Sequence, residues 1–322
     1  MADTQTMRAV IADRYGPPES LRLADVPIPV PAPGEIRIRV RATTVGRTDT
    51  ATLRAHPFFA RAMTGWLKPD MPSLGMDFAG EIDALGDGAT GFAVGDRVFG
   101  LSPDTFGAHA EYICVPADGA VAKLPGDVAF DAAVVCEGAW YAHATTAVLG
   151  DGQSILVYGA SGAIGTAAVQ LAKIRGAEVT AVVATRHLDL ARSLGADRVI
   201  DYTAEDFTVL PERFDVVFDA VGKTSVSQCR KLLAPQGVYA ATDLGPYWST
   251  GWLSMIHAVL GIRRVRIPFP EDAPGFVQDM QSYLGQGLFR GVIDRHFALE
   301  NIVDAFRYVE TGQKTGIVVV DV

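Results

Sequence analysis

Cysteine is scarce: Cys114, Cys136 and Cys229 are the only three in 322 residues, odd in number and widely spaced. That count excludes a disulfide framework and a Cys-x-x-Cys zinc knuckle, and it suits a reducing cytoplasm. A basic surplus is also missing. With 28 Lys and Arg against 37 Asp and Glu, the formal net charge is −9. Neither nucleic acid nor an anionic membrane is therefore expected as the main partner, since a polyanion is normally met by a basic patch. The opening Met1-Ala-Asp-Thr-Gln-Thr-Met7 lacks the basic-then-apolar pattern of a signal peptide. Residues 155–172 carry no charge and are nearly long enough to suggest a membrane helix, but a glycine turn and a short strand interrupt them. No membrane-spanning segment is expected.

What is present is the composition of a globular chain, 49% hydrophobic and 20% charged, long enough for two domains. Residues 154–173 organise it. A β-rich run ending at Tyr158 meets a glycine turn, and from Ile164 the apolar residues Ala167, Ala168, Leu171 and Ala172 recur at helical spacing. Gly162 lets the backbone approach a pyrophosphate, Gly165 lets helix and strand pack closely, and the N–H groups of the helix start attract negative charge. Ala160 stands where the first glycine of the usual dinucleotide fingerprint would be. Ala160, Ser161, Gly162, Ala163, Ile164 and Gly165 are thus candidate cofactor residues. Gly176 ends the helix, and residues 178–184 supply the second strand that the fingerprint requires.

The flanking segments read differently on the two sides. Residues 8–15, 35–42, 77–82, 97–99 and 111–116 are short strands; Pro27, Pro29, Pro31 and Pro33 make an extended connection between the first two, and around 77–99 glycines punctuate the strands with little helix, as in a small β-barrel. Residues 129–149 turn alanine-rich and helical, which marks a boundary. Beyond the fingerprint come a helix at 188–194, a strand at 198–200, a strand at 214–220, a helix at 225–233, a strand at 237–241, a covering loop at 243–252 and a closing strand at 315–321. The fold class is α/β, with a doubly wound parallel sheet of Rossmann type.

Over nearly the whole chain the motifs resemble those of the medium-chain dehydrogenase/reductase superfamily, near its zinc-independent quinone oxidoreductases. They are Gly75-Met-Asp-Phe-Ala-Gly80, Phe92-Ala-Val-Gly-Asp-Arg-Val-Phe-Gly100, Ala110-Glu-Tyr112, the fingerprint, Ser193-Leu-Gly-Ala-Asp197, Val199-Ile-Asp-Tyr202 and Phe218-Asp-Ala-Val-Gly222. The resemblance implies a GroES-like β-barrel domain from both ends of the chain, here 1–131 and 291–322. A Rossmann domain, 132–290, is inserted between them, and a cofactor cleft is expected between the two. Val221 and Gly222 join the cofactor residues on this ground. Many relatives hold a catalytic zinc, but its ligand positions correspond here to Gly46, to Met76 and Asp77, and to the neighbourhood of Gly138, where Cys136 is close but alone. No metal is expected.

Cofactor choice is read at the end of the second strand, where an NAD-binding protein places a carboxylate on the ribose. No acid lies between Val179 and Leu188, whereas Thr185 offers a hydroxyl and Arg186 a planar fork for a 2′-phosphate. With Tyr202, which resembles a tyrosine flanking that phosphate in relatives, they indicate NADPH. Pocket candidates are Arg47, Asp49, Trp140 and Tyr247, with Glu137 and His143 as further acid–base candidates; no motif selects among them. The expected function is hydride transfer from NADPH to a quinone, an α,β-unsaturated carbonyl or a related activated acceptor of small size. An alcohol dehydrogenase or aldehyde reductase, and a dinucleotide-sensing protein without turnover, stay open as alternatives. A homodimer is a further expectation, through an edge strand at residues 263–267, although its arginines are also a means of protecting an unpaired edge.

Overall fold

The computed structural model describes residues 5–58, 61–244, 248–260 and 264–322. Contacts divide the chain into two units, residues 1–137 with 272–322, and residues 138–271.

The first unit begins with Thr6–Ile11 (β1) paired antiparallel to Arg22–Pro27 (β2). Glu35–Thr44 (β3), Asp77–Leu85 (β4), Arg97–Leu101 (β5), Tyr112–Pro116 (β6) and Val121–Lys123 (β7) follow. The period-2 pattern of β3 explains its place. Ile36, Ile38 and Val40 are buried with Phe78, Ile82, Val98 and Ile113, while Arg37, Arg39 and Arg41 alternate on the other side. β3 pairs with both β4 and β6, so it is central to the sheet. Between β3 and β4, a stretch to which the sequence pattern assigns no element, Arg47–Arg54 is a helix directly after β3, closed by Ala55 in the left-handed region at φ 48°.

The second unit is a six-stranded parallel sheet. Its strands are Ser154–Tyr158 (β8), Glu178–Val183 (β9), Arg198–Asp201 (β10), Phe214–Asp219 (β11), Leu233–Ala241 (β12) and Val265–Arg266 (β13). Their spatial order is β10-β9-β8-β11-β12-β13, so the winding direction reverses between β8 and β11. Ile155, Leu156, Val157, Val217 and Phe218 are fully buried, as expected for strands covered on both faces. Three local expectations change. The helix read at 225–233 is two short turns, Val226–Cys229 and Arg230–Leu232, ending where β12 begins. The loop read at 243–252 gives way at Ser249 to the helix Ser249–Val259. The edge strand read at 263–267 spans only Val265–Arg266, and Arg263 lies outside the described residues.

The chain then returns to the first unit as Ile293–Ala298 (β14) and Ile317–Asp321 (β15). β15 lies between β14, to which it is parallel, and β3, to which it is antiparallel. The return comes earlier than the boundary at residue 290. Helix Ala273–Gly285 belongs to the first unit because Phe276, Val277, Met280 and Leu284 form one buried stripe, and the helix lies against β7 and β5, where Gln281 donates to the Lys123 carbonyl at 2.7 Å. The first boundary likewise falls after Glu137 rather than residue 131. Among the described residues no helix is long and apolar enough to cross a membrane.

Candidate functional site

Four parallel strands of the second unit, β10, β9, β8 and β11, end side by side, and the residues that the sequence offers as cofactor candidates occupy those ends. After β8 the chain turns sharply at Gly159, φ 80°, and the Gly159 and Ala160 N–H groups donate to Val182 O at 3.1 and 3.3 Å. The turn is thus made one residue before the expected glycine slot. Ala160 needs no unusual conformation there and is fully buried. Gly162 caps helix Ala163–Ile174 without any side-chain hydrogen bond, leaving the first-turn N–H groups without intrahelical acceptors. A Cβ added to Gly162 would meet only Gly159 O, at 3.8 Å, so the approach to those N–H groups is open; Ser161, Ala163 and Ile164 are half-buried around it. On Gly165 the same atom would overlap Gly159 O and Ala160 Cα, so this glycine is what lets helix and turn touch.

β9 ends at Val183, and Thr185 and Arg186 are exposed in the short turn Thr185–His187. Arg186 Nε donates to His187 Nε2 at 2.9 Å. The parallel register sets Asp201, the last residue of β10, beside Val183. Its Oδ2 accepts from Thr185 Oγ1 at 2.5 Å, and its Oδ1 from Thr203 Oγ1 at 2.6 Å and Thr203 N at 2.9 Å. These side-chain hydrogen bonds, Thr185 first, hold the carboxyl below its ordinary range, so it is ionised. Sequence reasoning searched only the second strand for an acid and missed this one. Tyr202 follows, half-exposed, its ring edge-on to Tyr158 at 6.0 Å. The two tyrosines line an open groove of about 380 Å³ with Thr203, Glu205, Asp206 and Phe207.

β11 carries the last group. Val221 is exposed, Gly222 turns at φ 71°, and a Cβ on Gly159 would strike Val221, so this loop and the fingerprint turn are neighbours. Both N–H groups donate to Asp219 Oδ1, at 3.0 and 2.8 Å, while its Oδ2 accepts from Thr224 N and Oγ1 at 2.6 and 2.7 Å. Asp219 is fully buried, a loop anchor whose role shows only once the loop is folded around it. Trp140 is half-buried on helix Cys136–Thr146 and donates its indole N–H to Glu271 O at 3.0 Å; His143 sits on the same helix. Tyr247 lies outside the described residues.

In the first unit the remaining candidates surround the start of helix Arg47–Arg54. Arg47 is exposed, whereas Asp49 is buried, its Oδ2 accepting from Gly46 N at 2.8 Å and its Oδ1 from Gly75 N at 2.9 Å. Asp77 accepts from Glu137 N at 2.7 Å and Thr44 Oγ1 at 3.1 Å. Glu137 is buried, with Oε1 3.4 Å from Thr48 N and its carboxylate filling the space beside Gly46. Burial pushes all three carboxyls up; for Glu137 the Asp49 charge adds to burial, and for Asp77 the Glu137 charge does. The family's zinc does not fit this donor set. Gly46 and Met76 offer no ligand of the family's kind, Asp77 is used by hydrogen bonds, and among the described residues no group of three or more His, Cys, Asp or Glu is placed to hold a metal ion.

Comparison with known proteins agrees with this architecture. The family model for the alcohol dehydrogenase GroES-like domain matches residues 32–126, and that for zinc-binding dehydrogenases matches residues 194–320. The chain is 35% identical over 266 residues to 2-methylene-furan-3-one reductase of Solanum lycopersicum, covering 78% of this chain and 63% of that protein. It is 31% identical over 267 residues to the chloroplastic NADPH-dependent alkenal/one oxidoreductase of Arabidopsis thaliana, covering 78% and 64%. It thus spans just under two thirds of the length of these two relatives. The solved quinone oxidoreductase of Coxiella burnetii superposes with a TM-score of 0.86 at 27% identity, over 99% of this chain and 100% of that one. The chain belongs to the medium-chain dehydrogenase/reductase superfamily, with a GroES-like part and a Rossmann-type parallel sheet.

Proposed function

We propose that the protein is an NADPH-dependent reductase of activated acceptors, an α,β-unsaturated carbonyl or a quinone. The observation that carries this reading is the convergence of the glycine turn, Thr185 and Arg186, Tyr202, and Val221 and Gly222 at the carboxyl ends of β8, β9, β10 and β11. The sheet reverses its winding there, which is where open α/β sheets bind their ligands. The open first turn at Gly162 receives the pyrophosphate, and the planar Arg186 fork is suited to the 2′-phosphate. The bound nicotinamide would supply the hydride. An activated acceptor is favoured because the described residues of the first unit, with Gly46 and Met76 at the family's ligand positions, do not offer the donor set that would hold a Lewis-acid zinc. The name of the Arabidopsis relative, which states both NADPH and alkenal or alkenone, supports the same reading.

The test is NADPH oxidation by the purified protein with a quinone, an enone and a saturated aldehyde, using NADPH deuterated stereospecifically at the nicotinamide. Deuterium at the β-carbon of the reduced enone, with a solvent proton at the α-carbon, is the expected result. A saturated aldehyde as best substrate would overturn the enone form, and tight NADPH binding without turnover would favour a sensor. Self-association through the short β13 edge belongs to this proposal, and a monomer mass in light scattering over a wide concentration range would reject it.

A further inference from the structure

The 2′-phosphate end of the proposed site contains a carboxylate that the cofactor assignment does not account for. Asp201 reaches the end of β9 from the neighbouring strand, opposite Val183 and next to Thr185. This is the strand end at which an acid on β9 itself would bind the ribose hydroxyls of NAD. Both of its oxygens are occupied by hydroxyls, Thr185 Oγ1 at 2.5 Å and Thr203 Oγ1 at 2.6 Å, and the two hydroxyl oxygens lie 2.9 Å apart. A hydroxyl has one proton. With that proton directed at Asp201, Thr185 presents only lone pairs outward, and lone pairs repel a phosphate dianion. Arg186 in turn uses Nε on His187, leaving its two terminal nitrogens for an anion. The strand end therefore holds one cation, one fixed anion and one hydroxyl turned the wrong way for a phosphate.

Resting on the dinucleotide reading above, we propose that Asp201 is a specificity-determining residue that weakens the discrimination between NADPH and NADH. It does so by holding negative charge beside the 2′-phosphate position and by engaging the Thr185 proton. Arg186 then carries phosphate recognition without help from Thr185, and NADH stays a usable ligand. The effect is local. It follows from the β9–β10 register and from three hydrogen bonds, and it needs no movement of the fold.

The experiment is equilibrium binding of NADPH and of NADH, by calorimetry, to wild type, Asp201→Asn, Asp201→Glu, Thr185→Ala and the double variant Asp201→Asn/Thr185→Ala. Asp201→Asn is expected to tighten NADPH about fivefold and to leave NADH within about twofold, because only the phosphate senses the lost charge strongly. Asp201→Glu keeps the charge and leaves the ratio of the two affinities within about twofold of wild type. Thr185→Ala changes NADPH affinity by less than about twofold in wild type but weakens it about fivefold in the Asp201→Asn background, where the released hydroxyl donates to the phosphate. Unchanged or weaker NADPH binding by Asp201→Asn overturns the proposal. So does an equal loss from Thr185→Ala in both backgrounds, or, should Asp201→Asn fold poorly, a loss of about fivefold or more from Thr185→Ala in wild type alone, where the hydroxyl is held by Asp201. If wild type binds neither nucleotide, the dinucleotide reading itself has failed, and that result is distinct from normal binding with no response to Asp201.

Discussion

Glu137 stands in the space that a side chain on residue 46 would fill: a Cβ placed on Gly46 overlaps both Glu137 carboxylate oxygens. The missing side chain at one position therefore makes the room that the buried carboxylate at the other fills. The family resemblance puts a zinc ligand at position 46, and here the same volume is occupied by an acid from a residue far away in sequence. Gly46→Ala should displace that carboxylate and cost about 1 kcal/mol of stability, since the atom it meets is the end of a flexible chain in a buried place. Glu137→Ala should relieve the clash, so that denaturant unfolding of the two single variants and the double variant gives non-additive losses.

His109 gives a pH dependence with a definite sign. It is fully buried, Nε2 lies 2.8 Å from Thr44 O, Nδ1 has no hydrogen-bond partner among the described residues, and burial pulls its pKa down from 6.5 to about 4. Because the unfolded chain takes up the proton first, the neutral ring stabilises the fold above pH 6.5, and that contribution is lost as pH falls through 6.5 towards 4. Between about pH 7.5 and about pH 5 this one residue should remove roughly 2 kcal/mol of unfolding free energy. Denaturant titrations at the two pH values should show a smaller loss in His109→Asn, whose amide does not titrate.

The two fingerprint glycines should respond oppositely to the same methyl group. Gly165→Ala drives Cβ into the backbone of the turn, which cannot retreat, and should cost about 2–3 kcal/mol or prevent folding. Gly162→Ala meets nothing closer than 3.8 Å and should change stability by less than about 1 kcal/mol. Its methyl stands in the open approach to the helix N–H groups, so NADPH affinity should fall about tenfold or more. Thermal unfolding and nucleotide binding, measured on both variants, separate the two effects.

Arg186→Ala should weaken NADPH by about 1.5–3 kcal/mol, the value of a charge-assisted phosphate contact, and change NADH little. Equal losses for both nucleotides would show that the guanidinium is not at the 2′-phosphate.

Chain-local features were legible beforehand. The glycine turn, the βαβ succession and the alternation of β3 each reside within a few consecutive residues, and the structure has them where the sequence puts them, save that the sharp turn comes one residue early, at Gly159. What depended on pairing was not legible. Asp201 acquires its position from the β9–β10 register, and Glu137 meets Gly46 only after the first unit has folded. The helix Ser249–Val259 was hidden by glycine, threonine and tryptophan at its start, residues with modest helical preference that read as a loop. The return at Asp272 was missed because the amphipathic stripe of Ala273–Gly285 shows that it packs on something without saying on what.

The position of β15 between β3 and β14 also orders events during synthesis. Domains tend to fold as units while the chain emerges. Residues 138–271 form a contiguous unit, all of which leaves the ribosome before β15 is made, so the parallel sheet can complete itself first. β3, paired with β4 and over residues 35–39 with β6, must wait with its end at residues 42–44 lacking its second partner until the late strand arrives. A translational pause between residues 271 and 317 would lengthen the exposure of that edge, a strand end open to wrong pairing for as long as β15 is missing.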